Sequence, residues 1–544
     1  MSLKTHFDFP TCKTAYFSAE IGLSDDIPTF SGGLGVLAGD HVKAAADQEL
    51  PFCAVTLLYK QGYFVQNLLA DGTQVENYPV FEYEQELTQL PVRVKLPLEE
   101  EVVHVAAWLV IVEGVSGGKV PVIYLDTDLP ENSPTARKIT RRLYAGGKPC
   151  RIMQEAVLGF GGMRMLEKLG AAGIKTYHMN EGHTAFLTLE LLRKYHDLDE
   201  VKKRCIFTTH TPIAAGHDVF EEQEVQRILG SLLSNGSAFE DGRLNMTRLA
   251  LKSSRAANGV SRLHSQVSSA MFPEHKIGYI TNGVHHLTWT SEATQALFDE
   301  FLSGWRTDPD QLLEADAIPI ADLMAAHNHN KSQMLATINA KYGEEFEVDK
   351  LTICFARRAA SYKRAGLLLS DLDRLSSICA GRVQVLFAGK AHPLDDAGKA
   401  IIKSIVSAAD KLRGKVAVAY LEGYNMRLGN LLTSGADIWL NNPERPKEAS
   451  GTSGMKAALN GALNLSVSDG WWAEGGQHGT NGWTIDSLEG HYEQDADNLY
   501  TLLENDVIPT YCNNSSKWGQ MMKASIRTAA GFTSHRMVKE YSDK

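Results

Sequence analysis

Short apolar runs recur along this chain, each followed by a longer stretch with helical spacing, and that alternation constrains the fold more than any single motif. A first series comprises Thr14 to Ser18, Phe52 to Leu58, Val120 to Leu125, Lys175 to Met179, Arg204 to Thr208 and Lys276 to Ile280. A second comprises Leu351 to Phe355, Val383 to Phe387, Val416 to Leu421, Asp437 to Leu440 and Leu463 to Val467. Runs of Val, Ile, Leu, Phe and Tyr without polar alternation suit strands covered on both faces, as in a parallel sheet flanked by crossover helices. Helical stretches such as Ala185 to Tyr195 and Asp396 to Leu412 lie between them. The rhythm predicts an α/β protein with two doubly wound, Rossmann-like domains, and at 544 residues the chain is long enough for both. The junction is expected at Asn282-Gly283, giving domains 1–282 and 283–520. Residues 521–544 read as a closing helix that packs back on the first domain. The Ser-, Asn- and Gly-rich stretch from Ser231 to Asn245 reads as an inserted loop, and Ala321 to Tyr342 as mainly helical.

Charge and cysteine usage narrow the function classes. A formal net charge of −11 argues against a general nucleic-acid or membrane-surface role, while leaving room for local basic pockets. No run approaches the length of a membrane-spanning helix, and MSLKTHFDFPTCK has no apolar core of a secretion signal. The seven cysteines are scattered without metal-ligand spacing. They read as reduced thiols of a cytoplasmic enzyme, with no metal site expected.

Chemistry in doubly wound sheets sits in the loops after strands, at their carboxyl ends. The run Lys447-Glu448-Ala449-Ser450-Gly451-Thr452-Ser453-Gly454-Met455-Lys456 packs hydroxyls and glycines ahead of a mostly apolar helix. Free N–H groups at such a helix start bind anions, and Lys456 one turn in could form a Schiff base with an aldehyde cofactor. A plain helix cap is the competing reading. Ser31-Gly32-Gly33-Leu34-Gly35 is a second glycine-rich strand-to-helix turn, common enough to be purely structural. Arg357-Arg358-Ala359-Ala360-Ser361-Tyr362-Lys363-Arg364 places a cluster of cations directly after an apolar strand. Guanidinium forks and a lysine there suit phosphate oxygens, against the alternative of an exposed basic face. His183 and His210 also fall just past strands. They either bond sugar hydroxyls or serve structure, with His183 opening a helix. Asn282, in Thr281-Asn282-Gly283-Val284, is a ligand contact or an Asn-Gly turn. Tyr424, after Leu421-Glu422-Gly423, either covers a flat cofactor or packs as an ordinary tyrosine.

In combination, order and spacing, EASGTSGMK, SGGLG, RRAASYKR and TNGV resemble the α-glucan phosphorylases of glycosyltransferase family 35, the glycogen, starch and maltodextrin enzymes. The resemblance runs from Tyr16-Phe17-Ser18-Ala19-Glu20 to Met537-Val538-Lys539-Glu540-Tyr541. It implies a GT-B type fold with an active site in the interdomain cleft, and reversible, retaining phosphorolysis of an α-1,4-glucan to glucose 1-phosphate. It also implies pyridoxal 5'-phosphate on Lys456, with Thr452 and Ser453 cradling its phosphate, Arg357 touching that phosphate, and Tyr424 and Trp289 beside the ring. Arg358 and Lys363 match the residues that hold the substrate phosphate, helped by the backbone at Gly33 and Leu34. His210, Asn282 and Glu448 match contacts to the transferred glucose, with Ser450 and Gly451 alongside. The cofactor's phosphate, not its ring, then serves as proton relay. This accounts for the basic cluster and for the absence of a glycosidase carboxylate pair. The expected partners are α-1,4-glucan, inorganic phosphate and glucose 1-phosphate, with no nucleic acid and no membrane; the family favours homodimers.

The chain departs from the family pattern in several places. It is shorter than the better-known members and is expected to lack their N-terminal phosphorylation and nucleotide control. The segment from Asp126 to Lys148 stands where relatives carry a gate loop. Arg357 replaces a common lysine, and Ala360 a common histidine. Three other readings share features with this one. A nucleotide-sugar glucan synthase has the same fold, but Lys456 stands where such enzymes carry a second carboxylate. A non-catalytic glucan-binding relative is opposed by the intact Lys456, Arg358 and Lys363. An aminotransferase-like enzyme needs an acidic partner for the pyridine nitrogen, and none is identifiable.

Overall fold

The structure, a computed structural model, describes residues 7–144, 146–233, 239–342 and 346–544. The chain folds into two compact units. The first holds the chain up to Phe64, Tyr78–Thr281 and Met537–Lys544; the second holds Val65–Asn77 and Asn282–Arg536. The expected junction thus lies one residue earlier, between Thr281 and Asn282. The closing stretch also divides, because residues 521–536 belong to the second unit and only 537–544 to the first. Part of the stretch read as an inserted loop, residues 234–238, lies outside the described residues.

The strands run in chain order as β1 (Thr14–Phe17), β2 (Phe52–Leu57), the hairpin β3 (Val65–Leu68) and β4 (Gln74–Asn77), β5 (Thr88–Leu98), β6 (Glu101–Glu113), β7 (Lys119–Asp126), β8 (Thr176–Asn180) and β9 (Cys205–Thr208). A small sheet follows, of β10 (Val219–Glu221), β11 (Phe239–Glu240) and β12 (Arg243–Asn245). Then come β13 (Ala256–Gly259) and β14 (Ile277–Tyr279). The first unit is built on a nine-stranded sheet ordered β14-β13-β9-β8-β1-β2-β7-β6-β5. It is parallel from β14 to β7 and ends in the antiparallel pairs β7–β6 and β6–β5. Successive strand residues point to opposite faces, and both faces are covered. Phe17 and Val55 pack in one core layer with Phe160 and Phe186, whereas Tyr16 and Ala54 pack in the other with Val42, Tyr124 and Tyr541.

The second unit carries β15 (Leu351–Ala356), β16 (Val383–Ala388), β17 (Ala417–Leu421), β18 (Ile438–Asn441), β19 (Leu463–Val467) and β20 (Gly482–Ile485). They form a parallel six-stranded sheet ordered β17-β16-β15-β18-β19-β20. Sheet growth reverses between β15 and β18, and ligands bind at such a switch point, beyond the carboxyl ends of the two strands. In the first unit the corresponding reversal lies between β1 and β8. Among the described residues no helix is long and apolar enough to cross a membrane.

Candidate active site

At the second unit's switch point, β15 delivers Arg357 and β18 delivers Asn441, and the Arg357 guanidinium bonds the Asn441 side-chain oxygen. A second arm of the same guanidinium donates to Glu448 Oε2 at 2.7 Å, and Lys363 Nζ donates to that oxygen at 2.5 Å. All three side chains are nearly excluded from solvent, with exposures of 9%, 7% and 6% for Arg357, Lys363 and Glu448. Burial pushes the Glu448 carboxyl upward, but the two cations more than offset this and hold it below the ordinary carboxylate range. Glu448, expected as a sugar contact, is thus also the buried counter-ion of two phosphate-binding candidates. Arg358 is exposed and donates to the Tyr362 hydroxyl at 3.2 Å. Arg364 has a different fate: it sits in left-handed backbone and spends its guanidinium on Asp495 and the carbonyls of Asn442 and Pro443. Of the basic cluster, Arg364 is therefore a structural clamp.

The loop from Glu448 to Gly451 is pinned by residues that no sequence motif singles out. Asp469, just beyond β19, accepts the Glu448 backbone N–H at 2.9 Å, and the Trp471 N–H donates to the Ser450 carbonyl at 2.8 Å. Burial pushes the Asp469 carboxyl up to about 7. The signal that could have found Asp469 is its place two residues past a strand end. The Ser450 hydroxyl is buried and finds no hydrogen-bond partner. Gly451 takes φ +85°, a conformation that favours glycine, and opens the helix Thr452–Leu459 without a side-chain cap. The first N–H groups of that helix, on Thr452 and Ser453, have no acceptor within it. The Ser453 hydroxyl accepts the Trp439 indole N–H at 3.1 Å and keeps its own O–H to donate.

One turn on, the buried Lys456 Nζ lies 3.6 Å from the centre of the Trp289 ring. Trp289 is held from two sides, by Asn460 donating to its carbonyl at 2.8 Å and by Asn430 donating to the Thr288 carbonyl at 2.7 Å. Tyr424 belongs to the same cluster: a Cβ on Gly429 would stand 2.9 Å from its hydroxyl and 3.8 Å from the Trp289 ring. Asn282 opens this unit with a buried side-chain oxygen that has no partner. Its neighbour Gly283 is required by close approach, since a Cβ there would lie 2.1 Å from the Thr533 carbonyl oxygen.

In the first unit, Glu20 follows β1 and accepts the Ser31 N–H at 2.6 Å and the Tyr144 hydroxyl at 2.6 Å, which fixes the turn into the helix Gly33–Asp47. Gly33 is exposed and nothing lies within 4 Å of where its Cβ would stand, whereas a Cβ on Gly35 would be 2.6 Å from Phe30. Packing demands glycine at 35; at 33 glycine leaves the backbone open to a ligand, with half-buried Leu34 beside it. After β8, the buried His183 accepts the Ala19 N–H through Nε2 at 3.1 Å, and burial pushes its pKa down to about 3. The Nε2 lone pair is spent on the backbone, and His183 sits in a short helix over Gly182–Thr184, as the structural alternative has it. His210 is only partly buried, and its Nε2 lies 2.7 Å from Asn180 Oδ1. Asn180 donates to the Ser18 hydroxyl, so its oxygen faces the ring and His210 donates through Nε2. Nδ1 is then its acceptor. Burial again keeps the ring neutral, with its pKa pushed down to about 3.

The donor set fits pyridoxal phosphate. A buried lysine lies on an aromatic face, a helix start offers uncapped N–H groups and an unpartnered buried hydroxyl, and two cations stand beside it on a single carboxylate.

A family profile described as carbohydrate phosphorylase matches residues 217–474, which include Arg357, Lys363, Glu448 and Lys456. A maltodextrin phosphorylase of Thermococcus litoralis is 41% identical over 97% of this chain and 70% of its own length. That alignment spans 586 positions, more than the 544 residues here, so the relative carries internal segments that this chain lacks. A glycogen phosphorylase of Mycobacterium tuberculosis is 36% identical over 97% of the chain and 70% of its own length. An uncharacterised protein of Methanocaldococcus jannaschii is 31% identical over 98% of the chain and 99% of its own length. On these similarities the chain belongs to the carbohydrate phosphorylase family.

Proposed function

We propose that this protein is a retaining α-1,4-glucan phosphorylase that takes a glucan and inorganic phosphate to a shortened glucan and glucose 1-phosphate, reversibly, with pyridoxal 5'-phosphate on Lys456. The observation that carries the reading is the convergence of Arg357, Lys363 and Glu448 beside the uncapped helix start that leads to Lys456. When bound, the cofactor supplies a phosphate that exchanges a proton with the substrate phosphate.

The chain's own residues do the rest. The N–H groups of Thr452 and Ser453 hold one phosphate, with Arg357 beside it, while Arg358 and Lys363 hold the other. Two like charges 4 Å apart repel by about 4 kcal/mol per pair even at an effective dielectric of about 20, so cations of this density are a requirement of two neighbouring phosphates. Trp289 and Tyr424 flank the cofactor ring. Glu448 turns its second oxygen, and Asn282 its unpartnered amide oxygen, to glucose hydroxyls, with Ser450 and Gly451 alongside. In the first unit, His210 and the Gly33-Leu34 turn are the proposed sugar and phosphate contacts. A cytoplasmic location is part of the proposal and is supported by seven free cysteines, five of them buried.

Arg358→Ala tests the assignment of the exposed cation. Loss of a charge-assisted hydrogen bond to phosphate is expected to raise the phosphate KM by about tenfold or more and to leave the maltodextrin KM nearly unchanged. Equal shifts in both would make Arg358 structural. Transfer from UDP- or ADP-glucose with none from glucose 1-phosphate would replace the whole reading by a nucleotide-sugar synthase.

A further inference from the structure

The hairpin β3–β4 belongs to the second unit, although the chain on either side of it belongs to the first. Two of its buried positions, Gln66 and Gln74, are amides, exposed by 1% and 5%. An uncompensated amide is costly to bury, yet here the nitrogen and the oxygen of both side chains are hydrogen-bonded. Gln66 Nε2 donates to the Gly389 carbonyl at 2.9 Å and to Gln74 Oε1 at 2.9 Å, while Gln66 Oε1 accepts the Gly423 N–H at 3.1 Å. Gln74 reads both backbone groups of Ala391, accepting its N–H at 3.0 Å and donating to its carbonyl at 3.0 Å; its other N–H goes to Glu76 at 2.8 Å. The hairpin is further fixed by Leu68 donating to Glu422 at 2.8 Å and by the Lys403–Asp71 pair at 2.6 Å.

These hydrogen bonds fall on the loops that carry the proposed site. The Gly389–Ala391 turn, just past β16, lies directly beneath the basic loop: the Arg357 N–H donates to Ala388 at 3.1 Å and the Ala359 N–H to Lys390 at 3.0 Å. The approach is so close that a Cβ on Gly389 would stand 1.9 Å from the Arg357 carbonyl oxygen. Gly423 immediately precedes Tyr424. The two glutamines therefore hold the turn under Arg357 and Arg358 and the turn before Tyr424 in one network. An apolar pair would fill the same space and fix neither turn.

We propose that Gln66 and Gln74 are positioning residues, which set the phosphate-binding loop and the Tyr424 loop relative to each other. This rests on the proposed phosphate and cofactor roles of those loops. It is tested with Gln66→Leu and Gln66→Glu in the full-length protein, by amide hydrogen exchange and by steady-state kinetics. In Gln66→Leu, exchange in peptides covering 386–392 and 420–426 should quicken by about tenfold, the worth of a typical buried hydrogen bond. In Gln66→Glu the carboxylate still accepts Gly423 N–H but faces the Gly389 carbonyl, so only 386–392 should quicken. With phosphorolysis as readout, the phosphate KM should rise by about tenfold in both variants while the maltodextrin KM stays within about twofold. Lys403→Met, which cuts the exposed contacts of its ammonium with Asp71 and Thr73 at the hairpin tip and leaves both glutamines bonded, serves as control and should change neither. Should Gln66→Leu fail to fold, Gln74→Met carries the same expectation for 386–392. Unchanged exchange in the variants, or phosphate and glucan KM rising together, overturns the proposal. A wild-type protein that releases no glucose 1-phosphate would sink the functional reading instead, and the exchange measurement would still decide the positioning role.

Discussion

Replacing Lys456 by alanine is expected to give a folded protein that takes up no pyridoxal phosphate and shows no measurable phosphorolysis. Lys456 lies inside the helix Thr452–Leu459, where alanine is at least as good a helix former. The substitution removes the approach of the ammonium to the Trp289 ring, worth about 0.5–2 kcal/mol, and leaves the helix backbone intact. The unfolding midpoint should therefore move little while the cofactor absorbance vanishes. Arg357, Arg358, Lys363 and Glu448 remain in place, so the variant separates the lysine from the anion site around it. A retained cofactor band, or activity near that of the parent protein, would refute the assignment.

Glu448→Gln should have the largest effect on stability. It takes away the one carboxylate oxygen that neutralises Arg357 and Lys363, which strands two buried cations. Breaking a buried pair from one side costs about 3–5 kcal/mol. Activity should fall by about a hundredfold, because misplacing the phosphate-binding cations disrupts the reacting geometry. Inorganic phosphate should then rescue the variant, raising its unfolding midpoint by more than it raises that of the parent, since phosphate supplies the missing charge. The pH dependence follows from the same cations. Burial pushes the Glu448 carboxyl up, Arg357 and Lys363 offset this, and the folded value lies below the unfolded one near 4.5. Its contribution is complete above the unfolded value and is lost as pH falls through the folded one. The parent protein should therefore lose stability on acidification below about pH 4.5 through this group, and the variant should lack that limb. A variant as stable as the parent, with no added response to phosphate, would show that the three side chains do not form a buried charge cluster.

Strands covered on both faces were legible because burial on two sides leaves an unbroken apolar run, as in β15 and β16. The long antiparallel strand β5 was not, because it alternates buried and exposed residues and contains Pro91 and Pro97, which read as breaks. The β3–β4 hairpin did carry a signal, Asp71-Gly72 between two short runs. Its strands are polar, however, and the backbone groups that its buried glutamines bond lie more than 300 residues away, as with the 323-residue separation of Gln66 and Gly389. The basic loop and the Gly451 helix start stood out because chemistry and local backbone coincide there. What no local pattern could divide was the use of each charge. Arg364 looks like its neighbours in sequence, and only the fold sets it against Asp495. His183 likewise differs from His210 through an N–H of Ala19, 164 residues distant.

In the proposed reaction the cations gathered at the second switch point serve phosphate in glucan cleavage. The most direct measurement is release of glucose 1-phosphate from maltodextrins of graded length, with and without inorganic phosphate, on protein loaded with pyridoxal phosphate. Glucose 1-phosphate should form only when phosphate is present, as the α-anomer, and should drive chain extension when supplied in excess. Free glucose released independently of phosphate, or no release from any chain length by cofactor-loaded protein, would contradict the account.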